Sequence, residues 1–156
     1  MASLLPLPPA IVGEFVGRAH DDLVRVTEIL GAYPSVINAS WDWGNGDYET
    51  ALGAACHSGR KDIAEFLLNH GAKIDLFAAA TLGKTALVKA FIQDNPDVLH
   101  ATGPHGISLV AHAEAGKNRE TITYLKSLLH PEKKNHARHP AAKSKPAPKP
   151  KRRKAA

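Results

Sequence analysis

The stretch from residue 50 to 75 constrains the fold more than any other part of the chain. Thr50-Ala51-Leu52-Gly53-Ala54-Ala55-Cys56-His57-Ser58-Gly59, running on to Phe66-Leu67-Leu68-Asn69-His70-Gly71-Ala72-Lys73-Ile74-Asp75, reads as one unit. A short helix of small residues is followed by a glycine turn, an amphipathic helix and a Gly-Ala stop. Leu52, Ala55 and Cys56 fall at i, i+3 and i+4, on one side of a helix. Two of the three are small, so a neighbouring helix can come close. Ile63, Phe66 and Leu67 repeat the spacing with larger side chains and form the packing stripe of the second helix. Gly59 lies between the helices, where a positive φ costs least for glycine, and Gly71 ends the second helix for the same reason.

A lone helical hairpin would leave these stripes bare, so copies elsewhere decide the fold. Residues 15–39 and 77–101 align without a gap at an offset of 62. Phe15 falls on Phe77, Val26 on Val88, Ile29 on Phe91, Leu30 on Ile92, Pro34 on Pro96, Val36 on Val98 and Ala39 on Ala101. Leu109 to Gly116 matches Leu52 to Gly59 at an offset of 57, with one inserted residue needed before Tyr124-Leu125 can meet Phe66-Leu67. The pattern predicts four helix pairs, at about 12–31, 49–70, 75–93 and 107–130. At Asp75-Leu76-Phe77 the second unit runs into the next helix with too few residues for a full connecting hairpin, and Asp75 is placed to cap that helix. Pro34 and Pro96 stop the second helices of their units.

The unit at 50–75 resembles the ankyrin repeat, whose pattern runs T-P-L-H-x-A-A, a glycine, a Leu-Leu pair and G-A-x-x-N/D. Ala51 stands where the family has proline and Gly53 where it has histidine. The resemblance implies an all-α solenoid of about four helix-pair repeats over 12–130, with short β-hairpin fingers and weak capping units at its ends. Residues 1–11 are then an N-terminal extension. It also implies a non-catalytic scaffold or adaptor that binds a protein partner in its concave groove, with no cofactor.

Asn38 to Thr50 is the segment the family would project as a finger. It holds both tryptophans, Trp41 and Trp43, with Asp42, Asp47, Tyr48 and Glu49. Gly44-Asn45-Gly46 is a natural turn, and the alternation of Trp41 and Trp43 suggests one strand face. Aromatic and acidic groups together are the kind that anchor interfaces, though one tryptophan can instead pack against the neighbouring finger or the top of the helix below. The expected partner-binding set is Trp41, Asp42, Trp43, Asp47, Tyr48 and Glu49, with His57, Ser58 and Arg60 from the helices and His105 from a partial finger near Gly103-Pro104.

Charge divides the chain. Residues 1–130 carry 10 Lys/Arg and 14 Asp/Glu, a net of −4, whereas residues 131–156 carry 10 Lys/Arg and a single acid, Glu132, a net of +9. Five prolines in that C-terminal stretch forbid a long helix, and it has little to bury, so disorder is expected. Lys149, Lys151, Arg152, Arg153 and Lys154 can attract nucleic acid or another polyanion. A plain solubilising tail is the alternative, and in a eukaryote the same cluster would pass as a nuclear-localisation signal. The tail has no aromatic to stack on bases, which argues against specific single-strand recognition.

No apolar run reaches the length of a membrane span. Met1 to Pro9 lacks a positive start and is broken by prolines, and the single cysteine fits a reducing compartment. A cytoplasmic monomer is expected. Evidence for an enzyme is thin. Adjacent helical residues such as Cys56 and His57 point about 100° apart and form no nucleophile–base pair by themselves. Gly13-x-x-x-Gly17 and Gly83-Lys84-Thr85 lack the context of a phosphate loop. The nine histidines invite a metal reading, but the closest spacings, His136-x-x-His139 and His100 with His105, supply too few convergent ligands. No metal site is expected. His112 aligns with Ala55 and reads as a structural histidine in the stack, unless the register there is off by one.

Overall fold

The computed structural model describes residues 6–130; the tail residues discussed above lie outside them. Eight α-helices occur among the described residues, in four antiparallel pairs: α1 (Pro9–Arg18) with α2 (Leu23–Ala32), α3 (Ala51–His57) with α4 (Lys61–Asn69), α5 (Leu76–Thr81) with α6 (Thr85–Asp94), and α7 (Leu109–Ala115) with α8 (Arg119–Leu129). α1, α3, α5 and α7 stack as an inner row; α2 against α4 and α6 against α8 form outer contacts. A two-stranded antiparallel hairpin, β1 (Ser40–Asp42) with β2 (Tyr48–Thr50), projects between the first and second pairs, with Trp41 opposite Glu49.

The inner row packs through alanines. Ala51, Ala54, Ala55, Ala78, Ala79, Ala80 and Ala113 are all buried, so helix backbones approach closely where one large side chain would hold them apart. The outer helices fill the remaining space with Val26, Ile29, Ile63, Leu67, Val88 and Leu125. The offset of 62 is a structural equivalence: Val26 and Val88 are both fully buried, and Pro34 and Pro96 each open a short 3-10 turn after the second helix.

Caps set the helix starts. Asp22, Thr50, Asp75, Ser108 and Asn118 each accept a hydrogen bond from a backbone N–H in the first turn, at 2.7–3.3 Å. Asp75 does this directly after the Ile74 linker, so the second unit enters α5 with no hairpin between, as the short spacing predicts. Buried hydroxyls also join the outer row: Thr85 Oγ1 donates to Thr121 Oγ1 at 2.8 Å, and Thr121 Oγ1 donates to Asn118 Oδ1.

The fourth unit corrects the expected register. Thr50 and Ser108 are equivalent N-caps and Leu67 and Leu125 equivalent core residues, both 58 residues apart, so the whole unit follows one offset without an insertion. Lys117, at φ 55°, takes the turn position that Gly59 holds at φ 75°. Gly116 stays helical, and a β-carbon there would collide with the Thr81 carbonyl of α5. Glycine is therefore required at 116 by the close approach of α5 to α7, one residue before the turn. His112 accordingly falls on Ala54 and is buried; its Nδ1 donates to the Ser108 carbonyl at 3.0 Å and its ring lies 5.0 Å from that of Phe77.

Leu125→Ala, a fully buried truncation, should lower stability by about 2–5 kcal/mol, whereas Val24→Ala at a 70% exposed site should change it by no more than about 0.5 kcal/mol. Urea midpoints at constant slope measure both.

Candidate functional site

The finger is built against α1. Gly13 leaves room for the Trp41 indole, whose ring would lie 3.1 Å from a β-carbon at that position, and one turn later Gly17 faces the tip of Trp43 at 3.8 Å. The Gly-x-x-x-Gly pair thus serves as a seat for two indoles. Trp41 is half-buried and joins the first core, whereas Trp43 is 45% exposed. The Gly44-Asn45-Gly46 turn has positive φ at all three residues and is closed by Trp43 N–H donating to the Asp47 carbonyl at 3.0 Å. Gly44 N–H also donates to Asp42 Oδ1 at 2.8 Å.

Behind the finger, Glu49 is the centre of a polar cluster. It points from β2 into the space between α1, α3 and the 102–108 loop, and its side chain is fully buried. Trp43 Nε1 donates to Oε2 at 2.8 Å, and His57 Nε2, from the end of α3, meets Oε1 at 2.7 Å. His20 Nε2, from the α1–α2 turn, lies 3.5 Å from Oε2, and His105 Nε2 lies 3.6 Å from the same oxygen. The rings of His20 and His57 stand edge to face at 5.0 Å, as do those of His57 and His105 at 5.2 Å. Burial pushes the Glu49 carboxyl up, but the His57 and Trp43 hydrogen bonds, helped by nearby imidazoles, outweigh it and hold the group below the ordinary carboxylate value.

Asp47 fixes the fourth member. Its Oδ1 accepts from the His105 backbone N–H at 2.8 Å and its Oδ2 meets His105 Nδ1 at 2.9 Å, contacts that also hold the Asp47 carboxyl below its usual range. His105 sits at φ 58°, a left-handed conformation uncommon for a side chain of this size, inside a loop closed by the Thr102–Ser108 bridge. The two hydrogen bonds hold it there.

The expected partner-binding residues therefore separate into two groups. Asp42, Trp43 and Tyr48 are exposed at the finger, with Trp41 half-buried beneath them. Glu49 is buried and out of a partner's reach. Asp47, His57 and His105 line the cluster behind the finger, and Arg60 forms an ion pair with Asp62 at 2.7 Å while donating to the Asp21 carbonyl. His20 belongs to this constellation and was not among the expected residues. Its partners lie 29, 37 and 85 residues away (at 49, 57 and 105), so no motif spacing announces it.

Cys56 sits in the buried small-residue row and contributes nothing to the cluster. Burial, reinforced by the negative charge of Asp75, pushes its thiol up to about 12. A raised thiol favours the neutral form in the fold, so this contribution to stability is full below the unfolded value near 8.5 and fades as pH rises towards 12. At pH 8 the native protein should react with a disulfide reagent at least about 100-fold more slowly than the urea-unfolded chain, read from the released thiolate chromophore.

No helix of the described residues is long and apolar enough to cross a membrane. Searches of curated proteins and of solved structures gave no match. A family model described as ankyrin repeats in three copies matches residues 19–112, from the end of α1 to the middle of α7 and thus more than half of the chain. With four stacked helix pairs and an interposed hairpin, the chain belongs to the ankyrin-repeat family, whose members generally act as protein–protein interaction modules and are typically non-catalytic.

Proposed function

We propose that the protein is a non-catalytic adaptor that holds a protein partner against the finger and the adjoining ends of the inner helices. The observation that carries this reading is the exposure of Trp43 and Tyr48, 45% and 62%, beside the exposed carboxylate of Asp42 on a hairpin anchored from behind. Aromatic side chains on a rigid support lose little entropy when a partner covers them, and such residues dominate interface energetics. Acidic neighbours favour a partner whose contact surface is basic. Glu49, Asp47, His57 and His105 support the finger in this reading, and Asp42, Trp43 and Tyr48 make the contact.

A second reading is favoured by the division of charge. With a net of +9 over residues 131–156 against −4 over the rest, Lys149, Lys151, Arg152, Arg153 and Lys154 provide a sequence-tolerant attraction for nucleic acid or another polyanion, while the repeats recruit the protein partner.

Affinity capture distinguishes the two. Tyr48→Ala combined with Asp42→Asn should reduce nuclease-resistant partner recovery at least about tenfold, as expected for a central aromatic anchor. The melting temperature should move by no more than about 2 °C, because both sites are exposed. Equal recovery by the variant would remove the finger from the interface. Deleting residues 131–156 should abolish salt-sensitive nucleic-acid binding and leave nuclease-resistant capture intact; retained nucleic-acid binding would refute a role for the tail.

A further inference from the structure

We propose that His20, Glu49, His57 and His105 form a structural zinc site that ties the finger and the first two repeats to the loop leading into the fourth. Each residue offers one ligand atom, and the four atoms lie within 4.8 Å of one another. A tetrahedron with bonds of about 2.0–2.1 Å separates its ligand atoms by roughly 3.3 Å. The approaches of His20 and His105 to Glu49 Oε2, 3.5 and 3.6 Å, are already near that value, whereas His57 Nε2, hydrogen-bonded to Oε1 at 2.7 Å, gives up its hydrogen and draws back by roughly 0.6 Å to take the remaining position.

The hydrogen bonds on the far side of each ring set the chemistry. His20 Nδ1 lies 3.0 Å from the Gly17 carbonyl, which only accepts, so Nδ1 carries the hydrogen. In the neutral ring, Nε2 is then a bare lone pair, aimed at a carboxylate oxygen. His105 repeats the arrangement: Nδ1 donates to Asp47 Oδ2, and Nε2 aims its lone pair at the same oxygen of Glu49. Two lone pairs facing one carboxylate repel unless positive charge stands between them. One divalent cation placed among the four ligand atoms, which lie within 4.8 Å of one another, satisfies all the acceptors at once.

The outer hydrogen bonds favour the cation. Imidazoles that bind metal through Nε2 characteristically donate Nδ1–H to a carbonyl or a carboxylate, and metal-bound carboxylates accept a hydrogen bond in turn. Gly17 supplies the carbonyl, Asp47 the carboxylate, and Trp43 the indole N–H on Glu49 Oε2. Three imidazoles and one carboxylate suit zinc among the common divalent ions, whereas magnesium and calcium require more oxygen ligands. With all four positions filled by side chains, no place remains for a reacting water, so the site is structural.

The test uses the full-length chain with His136 and His139 both changed to Gln, so that imidazoles outside residues 6–130 contribute nothing. After chelator treatment and desalting, Zn2+ titrated calorimetrically should bind once per chain, and Co2+ should give the visible absorption of a tetrahedral ion. Zinc should raise the melting temperature and chelator should lower it. His20→Gln and His105→Gln should each weaken zinc binding about 100-fold or more, and Asp47→Asn about 10–100-fold, while His70→Gln leaves it unchanged. If a variant fails to fold by circular dichroism, the cobalt spectrum and the zinc-dependent melting of the parent chain decide. Binding of less than one ion, a cobalt spectrum without tetrahedral character, or affinity indifferent to His20 and His105 would overturn the site. Melting unaffected by both zinc and chelator would do so too.

Discussion

The close approach of the inner helices is the constraint on which the rest of the structure depends. Ala51, Ala54, Ala55, Ala78, Ala79, Ala80 and Ala113 leave no bulk between successive backbones, so each helix pair lies directly on the last. Gly116 shows how tight this is, since even a methyl group there would meet the Thr81 carbonyl. A larger residue in this row would do more than lose contacts: it would tilt one repeat against the next and carry the finger away from α1. The large outer side chains have more tolerance, because they fill space between helices already positioned.

Stacking at this distance brings together residues that are remote in the chain. The α1–α2 turn and the end of α3 lie at the C-terminal edge of the inner row, the loop before α7 leads into its N-terminal edge, and side chains from all three reach across to within 4.8 Å of one another. His20, His57 and His105 occupy those positions, and Glu49 enters from the finger between them. A buried carboxylate is expensive to remove from water unless hydrogen bonds and positive charge compensate it. Trp43 and His57 supply the hydrogen bonds, and the same indole stays half-exposed at the finger surface. The surface a partner meets and the buried polar cluster therefore share one side chain.

These relations explain what was legible in the residues alone. Helix pairs were readable because their stripes repeat locally: Ile63 and Leu67, Val26 and Leu30, and Val88 and Ile92 follow helical spacing, and caps such as Asp75 lie within three residues of their donors. The finger was readable from Gly44-Asn45-Gly46. The last unit was misplaced by one residue because glycine was taken as the mark of the turn. At 116–117 two demands fall on neighbouring residues, and the contact with α5 claims the glycine while Lys117 accepts the positive φ. Glu49, His57 and His105 were picked out singly as partner contacts, but nothing in the sequence joined them to one another or to His20. His20 joins His57, His105 and Glu49 only when the repeats stack, because these residues are spread over 85 positions of the chain.

A repeat array ordinarily couples each unit to its neighbours alone, which lets the ends fray independently of the middle. This chain adds links of longer reach. Asp47 holds both the backbone and the ring of His105 across 58 residues, joining the first finger to the loop that introduces the last repeat. Asn38 accepts from Lys73 N–H and donates to the Gly71 carbonyl, binding the base of the finger to the exit of the second unit. Loops that would otherwise be free at one edge are thus cross-braced to one another. Each brace is exposed, so water takes up the donor or acceptor freed when one is lost; what the braces add is a geometric link among the finger, the cluster and the loop at 102–108 rather than a large energy apiece.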